Sequence, residues 1–493
     1  MDNEEEEVVP NAAIKQGKLS KTLIWVSIAT CLLSMQYGYN LWIAYSPVVL
    51  LQDYYNITSF EEMENPGSQM FLLATTLALF PLGGVFGSLA VGYLVYMFGR
   101  KGTLAIANIL SIISAILMGC TNEISAFEYT MFVRLYTGIC TGIISSVVPM
   151  YLGEISPGSL RGGMIMMPHL FLTIGVMFAQ ILALHEIFGT PEGWPILMSL
   201  SGVMPLCQVL LLPFFPQSPR YLFIQKKDEE KARQALKKLR GQNDVEAEME
   251  ELRLEDLAEK AEKNMNPLKL LSTPSLRWQT ITIIVLMCGQ QLAGTNVAYY
   301  YTERIYMSTE MEINHVRYMS IGSSAILIFS TTLGMYLVDT LGRRILLLIG
   351  FGICSTMCVL LTITLEMQDK VPKMSYLSTF FIILYLFGHC LGPGPAPPIF
   401  EVELFFQTSR GSAFVVAGFL QWFINFITGV SFLHIETRIG SFSFLLFFPV
   451  CVAYFYYTFK MIPETKNRTF LEIRRIMAIR AASRISVKGQ MGK

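Results

Sequence analysis

Twelve long apolar stretches follow one another along the chain, near residues 22–41, 70–96, 103–121, 127–149, 164–184, 195–215, 280–302, 318–338, 345–366, 376–400, 412–433 and 441–461. A membrane-spanning helix needs about 20 such residues, so twelve need roughly 240. The composition supplies them: 53% of the 493 residues are hydrophobic, and only 15% are charged. A soluble globular domain carries about 25% charge, and a disordered chain still fewer apolar residues. The chain therefore reads as an all-α membrane protein with twelve transmembrane helices. Backbone polar groups in lipid must be satisfied within each segment, which selects helices for spans of this length.

Loop charge orients the spans. Lys15, Lys18 and Lys21 precede the first, Arg100 and Lys101 follow the second, Arg161 follows the fourth, and 216–277 is dense in Lys and Arg. The stretch Trp42–Gln69 on the opposite side has neither. Positive residues stay inside, so both termini and 216–277 are expected in the cytoplasm, with the plasma membrane as the expected location. The acidic start MDNEEEEVVP lacks the basic onset of a cleaved signal, so the first span is expected to serve as its own targeting segment. Asn56-Ile57-Thr58 falls in the outer loop and is a glycosylation acceptor; Asn467-Arg468-Thr469 falls inside and is not. The expected domains are a cytoplasmic N-terminus (1–21), a six-helix bundle (22–215), a cytoplasmic linker (216–277), a second six-helix bundle (278–462) and a cytoplasmic tail (463–493). Within the linker, KKDEEKARQALKKLRGQ and VEAEMEELRLEDLAEKAEK read as short solvated helices joining the halves.

The halves repeat. Gly99-Arg100-Lys101 returns as Gly342-Arg343-Arg344, an offset of 243. Glu154 and Arg161 return as Glu403 and Arg410, an offset of 249. Pro216-Gln217-Ser218-Pro219-Arg220 is echoed by Pro463-Glu464-Thr465-Lys466. All lie at the cytoplasmic edge of corresponding spans. Duplicating an even number of spans gives two pseudo-symmetric bundles related by an axis along the membrane normal. Charges at that depth need partners. Arg100, Glu154 and Arg161 are expected to network with Arg343, Arg344, Glu403 and Arg410, closing a cytoplasmic gate whose partly exposed pairs are worth about 1 kcal/mol each. Positive-inside bias alone accounts for the cations but not for the paired glutamates.

Deep in the spans, ionisable groups are scarce, and Arg134 in the fourth is the exception. A proton- or sodium-driven carrier uses a mid-membrane carboxylate, and its absence from these stretches points to passive facilitation. In its place stand uncharged hydrogen-bonding groups: Gln36, Tyr37, Tyr39 and Asn40 in span one, His169 and Gln180 in five, Gln290, Gln291, Asn296, Tyr299 and Tyr300 in seven, His389 in ten, Gln421 and Asn425 in eleven. Amides both donate and accept, which suits a neutral polyhydroxylated ligand; each alone would serve equally as glue between helices. Gly388-His389-Cys390-Leu391-Gly392-Pro393-Gly394-Pro395-Ala396-Pro397-Pro398 cannot continue a helix. Such a break lines a cavity and can hinge, so Gly392, Pro393 and Pro395 join the expected gating residues. There is no P-loop or nucleophile motif, no cofactor signature and no zinc spacing among the nine cysteines, so neither an enzyme nor a metal site is expected. Balanced charge, 37 against 37, gives no support for nucleic-acid binding.

GRKG, PMYLGEISPGSLRG, PQSPRYL, GQQLAGTNVAYYY, LGRR, GPGPAPP and PETK together resemble the facilitative hexose transporters of the major facilitator superfamily, from about residue 18 to 475. QYGYN, FPLGG, IQKKDE and RWQ look most like the branch that contains the intestinal fructose transporter. The resemblance implies one central hexose site, alternating access without ion coupling, a chain that works as a monomer in the bilayer, and sugar contacts from Gln290, Gln291 and Asn296. It places Tyr37, His389 and Asn425 around the cavity and Tyr299 and Tyr300 in the gating half of span seven. Five positions depart from the pattern: His169 for a sugar-binding glutamine, Gln421 for a histidine before tryptophan, Gly394 for serine, Ala298 for a bulky aliphatic, and Tyr96 for a polar residue. The resemblance therefore leaves the cargo open among fructose, glucose and urate, and leaves open a transport-silent sensor.

Overall fold

The computed structural model describes residues 19–45, 66–124, 126–190, 192–260, 265–293, 302, 305, 306 and 312–491. Asn56, Asn296, Ala298, Tyr299 and Tyr300 lie outside the described residues. Nine helical segments among the described residues are long and apolar enough to cross a membrane. One of them, Ala78–Gly119, belongs to a helix (α2, Pro66–Gly119) that holds two spans, because Gly99 breaks its backbone. With α1 (Lys21–Tyr45) and the helix beginning at Arg277, twelve spans are accounted for. The others are α3 (Phe127–Ile155), α4 (Arg161–Leu182) and α5 (Trp194–Phe214) in the first half. The linker carries α6 (Glu229–Arg240), α7 (Glu246–Glu259) and α8 (Pro267–Ser272). The second half has α9 (Arg277–Leu292), α10 (Ile313–Thr340), α11 (Arg343–Gln368), α12 (Met374–Leu391), α13 (Pro397–Glu403), α14 (Gln407–Ile439) and α15 (Gly440–Met461), and α16 (Phe470–Met491) forms the tail.

Burial is inverted relative to a soluble protein. Phe86, Tyr93, Leu210, Phe329 and Tyr336 are exposed, while Arg100, Glu154, Arg343, Glu403 and Arg410 are buried. Exposed apolar rings suit lipid contact, and buried charges persist only where they are paired.

Between helices in lipid there is no hydrophobic drive, so small residues decide which backbones meet. In α2 and α3, Gly83 and Gly87 face Gly138 and Gly142. A Cβ on Gly83 would stand 2.2 Å from the Leu135 carbonyl oxygen, and one on Gly138 2.1 Å from that of Phe80. The two bundles meet along two seams, α2 against α14 and α4 against α10. These are spans two with eleven and five with eight, the equivalent pairs of the two halves.

The repeated glycines share a conformation only glycine adopts freely: Gly99 has φ 70° and Gly342 φ 102°. Each sharp turn delivers its following arginine, Arg100 or Arg343, back under the bundle.

Candidate functional site

At the edge that carries the Gly99 and Gly342 turns, the repeat is chemical as well as conformational. In the first half Arg100 donates to Glu154 from Nη2 at 2.8 Å and from Nε at 3.0 Å, and the Ser218 hydroxyl donates to the same carboxylate. In the second half Arg343 Nη2 donates to Glu403 at 3.0 Å, and the Thr465 hydroxyl donates to that carboxylate. Ser218 and Thr465 come from the two echoed proline motifs. Among the described residues one ion pair crosses between the halves: Arg410 Nη1 to Glu154 Oε1 at 3.3 Å. A second crossing is the Gly163 amide donating to Asp339 at 2.9 Å, with Asp339 also 3.3 Å from Arg343.

The expected network differs in two members. Arg344 turns outward: its side chain donates to the Phe459 carbonyl and its amide to Glu464, so it joins neither glutamate. Arg161 lies with its guanidinium 4.1 Å from the centre of the Phe470 ring, where Arg220 (4.9 Å) and Arg410 (5.0 Å) also converge. A first-half, a linker and a second-half cation thus share one aromatic ring of the tail. Phe470 carries no motif, and no spacing rule flags it.

The linker does more than span a gap. Arg220 Nη1 donates to the Glu154 carbonyl at 3.1 Å and Arg240 Nη1 to that of Ile155 at 2.8 Å, satisfying carbonyls that the end of α3 leaves free. Arg220 pairs with Glu255 at 3.2 Å. Glu259 accepts the Gln407 amide at 2.6 Å and the Thr408 amide at 3.2 Å, capping the start of α14. One segment therefore caps span four in one half and span eleven in the other. Burial, partly opposed by those two amides, raises the Glu259 carboxyl to about 7.

The central group assembles at the break in span ten. Helix α12 stops at Leu391, α13 starts at Pro397, and Gly392 is non-helical with φ −145° and ψ −62°. Pro393 is wedged against Gly350, where a Cβ would come within 2.1 Å of its ring. Gln290 of α9 donates its side-chain amide to the Gly394 carbonyl, Gln291 donates to Gln290 Oε1 at 3.3 Å, and His389 Nε2 lies 3.2 Å from the Gln290 carbonyl. A Cβ on Gly394 would be 2.9 Å from His389 Nδ1 and 3.1 Å from His169 Nε2. His169 thus reaches across from the first half, and its Nδ1 is buried without a hydrogen-bond partner among the described residues. Tyr37 packs on Trp422 with ring centroids 5.8 Å apart, and Trp422, fully buried, donates to Ser145 across the seam at 3.2 Å. Gln421 is half-buried beside Trp422, and Asn425 is buried one turn on.

Other polar residues of the spans serve helix contacts. Tyr39 donates to the Leu197 carbonyl, Gln36 approaches that of Ser111 at 3.5 Å, and Gln180 accepts from Ser324 at 2.6 Å. Asn40 and Arg134 line a small separate cavity with Thr130 and Thr137. Among the described residues no group of three or more His, Cys, Asp or Glu side chains is placed to hold a metal ion.

Residues 26–477 match the family described as Sugar (and other) transporter. The chain belongs to that family. It is 46% identical over 484 residues to human solute carrier family 2, facilitated glucose transporter member 7, covering 97% of this chain and 94% of that one. Facilitated glucose transporter member 5 of Rattus norvegicus is likewise 46% identical, over 470 residues and 94% of each chain. Among solved structures, the proton:xylose symporter XylE bound to 6-bromo-6-deoxy-D-glucose superposes with a TM-score of 0.83 at 20% identity, covering 93% of this chain and all of that one. The inward-open form of XylE gives 0.69 over 92% of this chain and 99% of that one. The architecture is that of the major facilitator superfamily, two six-helix bundles, as the repeat implied.

Proposed function

We propose that the protein is a passive uniporter of a hexose, fructose first, working by alternating access. The observation that carries this reading is the Gln290, Gln291, His389 and His169 cluster around Gly394. It draws uncharged donors and acceptors from both bundles to the point where span ten is broken. Such groups pair with sugar hydroxyls, which also give and take. The names of the relatives, facilitated glucose transporters, support a hexose cargo. Among the described residues no carboxylate belongs to this cluster, which supports transport without a proton, in contrast to the symporter whose fold it shares.

The cytoplasmic gate is assigned to Arg100, Glu154, Arg343, Glu403 and Arg410, with Arg161 acting through Phe470. Gln421, Asn425 and Tyr37 line the sugar route in this reading, and Asn296, Tyr299 and Tyr300 keep the roles the family resemblance implies. The gate and the cluster are complete within one chain, so a monomer suffices. The cationic edge faces the cytoplasm, and the plasma membrane is the proposed site, with Asn56 glycosylated outside.

Uptake of labelled fructose, glucose and urate into proteoliposomes, with and without a pH gradient, tests the reading. Saturable hexose uptake indifferent to the gradient is expected. Gradient-driven uptake, or urate uptake alone, overturns it. Gln290→Ala removes a buried donor and is expected to cost about 1–3 kcal/mol, roughly 5- to 150-fold in uptake at low sugar, with the protein still folded.

A further inference from the structure

On the cytoplasmic face, away from the sugar cluster, a cavity of about 320 Å³ opens between the linker, the turn before α14 and the tail helix. Its lining is divided by chemistry. Ala258, Met265, Phe406 and Leu471 supply apolar walls, Thr273 and Ser275 supply hydroxyls, and Lys269 and Arg474 supply two cations. Arg474 stacks over the Phe406 ring at 5.1 Å, which fixes its guanidinium at the wall. Burial holds that guanidinium below its ordinary range, with Glu259 opposing the effect. Glu259 caps Gln407 and Thr408 and is not part of the lining of the cavity, whose charged members are Lys269 and Arg474.

The surroundings indicate where an anion would come from. Lys269 sits on α8 between Leu268, 81% exposed, and the buried Leu270, with Leu271 51% exposed on the same turn. A short helix that presents leucines outward beside a lysine lies in a membrane interface. The tail helix adds Arg475 and Arg480, and basic segments next to the inner leaflet are drawn to anionic lipid.

We infer that this cavity binds the headgroup of an acidic phospholipid of the inner leaflet, its phosphate between Lys269 and Arg474 and its glycerol end against Met265 and Phe406. The site connects to the gate. The Phe406 carbonyl accepts the amides of Ser409 and Arg410 at 3.2 and 2.8 Å, and Arg410 pairs across the halves with Glu154. A bound lipid braces that turn and so favours the state in which the inner side is closed.

The test uses the full-length protein in nanodiscs of phosphatidylcholine with increasing phosphatidylserine, reading retained lipid by native mass spectrometry and the melting midpoint. Phosphatidylserine is expected to be retained over phosphatidylcholine and to raise the midpoint. Lys269→Glu, an exposed position that leaves folding intact, is expected to weaken retention about fivefold or more. Arg474→Gln is expected to act in the same direction. Arg475→Gln removes equal charge from the exposed side of the same helix and is expected to change retention less than about twofold. Equal loss from Arg475→Gln and Arg474→Gln would show diffuse surface charge and overturn the site, as would equal retention of both lipids. Displacement of lipid by millimolar phosphoserine or inorganic phosphate would overturn the assignment to a membrane lipid and make a soluble anion the ligand. None of these readouts depends on which solute is transported.

Discussion

Gly394 shows how one missing side chain sets a site. The space its Cβ would fill is occupied by the imidazoles of His389, from its own span, and His169, from the opposite bundle. The sequence shows His169 and Gly394 as two separate departures from the family pattern, 225 positions apart. In three dimensions they are one change, because a side chain at 394 and an imidazole at 169 compete for the same volume. Overpacking a close-packed site costs about 1–3 kcal/mol. Gly394→Ala is therefore expected to lower hexose uptake by roughly tenfold or more. In a His169→Ala background the same change should cost less, since the His389 ring then has room to give way. A four-corner cycle of uptake rates checks this. Additive effects would separate the two residues. The sequence marks both positions as departures from the family pattern, yet it reports no contact between distant spans.

At the scale of elements, the repeat carries most of what can be read before any coordinates. The Gly-Arg turns, the glutamates seven residues ahead of arginines and the proline motifs occupy equivalent places in the two halves, down to Ser218 and Thr465 donating to equivalent carboxylates. The linker and tail were much less readable, because their roles arise from where they dock. High charge with interleaved Leu and Ala describes a solvated helix equally well whether or not its arginines cap a span. Phe470 is the clearest case. It gathers Arg161, Arg220 and Arg410, one from each half and one from the linker, and only a folded tail puts it there. Each such contact is worth about 0.5–2 kcal/mol. Phe470→Leu keeps bulk but removes the ring face, and is expected to loosen the inner edge. Hydrogen exchange of the amides at 152–156 and 405–410 should rise about 3- to 30-fold, from a loss of roughly 0.7–2 kcal/mol. Unchanged protection would reduce Phe470 to filler.

The whole molecule is two bundles in contact along matched seams, and the linker decides how firmly their inner ends are held. Glu259 is the place to measure that hold, because it caps the second half from a segment that also caps the first. Its carboxyl is buried near Glu255, Arg410 and Arg474, and burial outweighs the two amide hydrogen bonds, raising it from an ordinary carboxylate value to about 7. A raised acid binds its proton more tightly in the folded form than in the unfolded one. The resulting stability is full below about 4.5, the ordinary glutamate value, and is lost as pH rises through about 7. The melting midpoint of the wild-type protein is therefore expected to fall between pH 5 and pH 8. Glu259→Gln keeps one oxygen for the Gln407 amide, gives up the acceptor of the Thr408 amide and cannot ionise, so its midpoint should vary less across that range. Parallel midpoints in the two proteins would assign the pH response elsewhere. A flat profile in the variant would show that the junction of linker and span eleven sets the pH response of the inner edge as a whole.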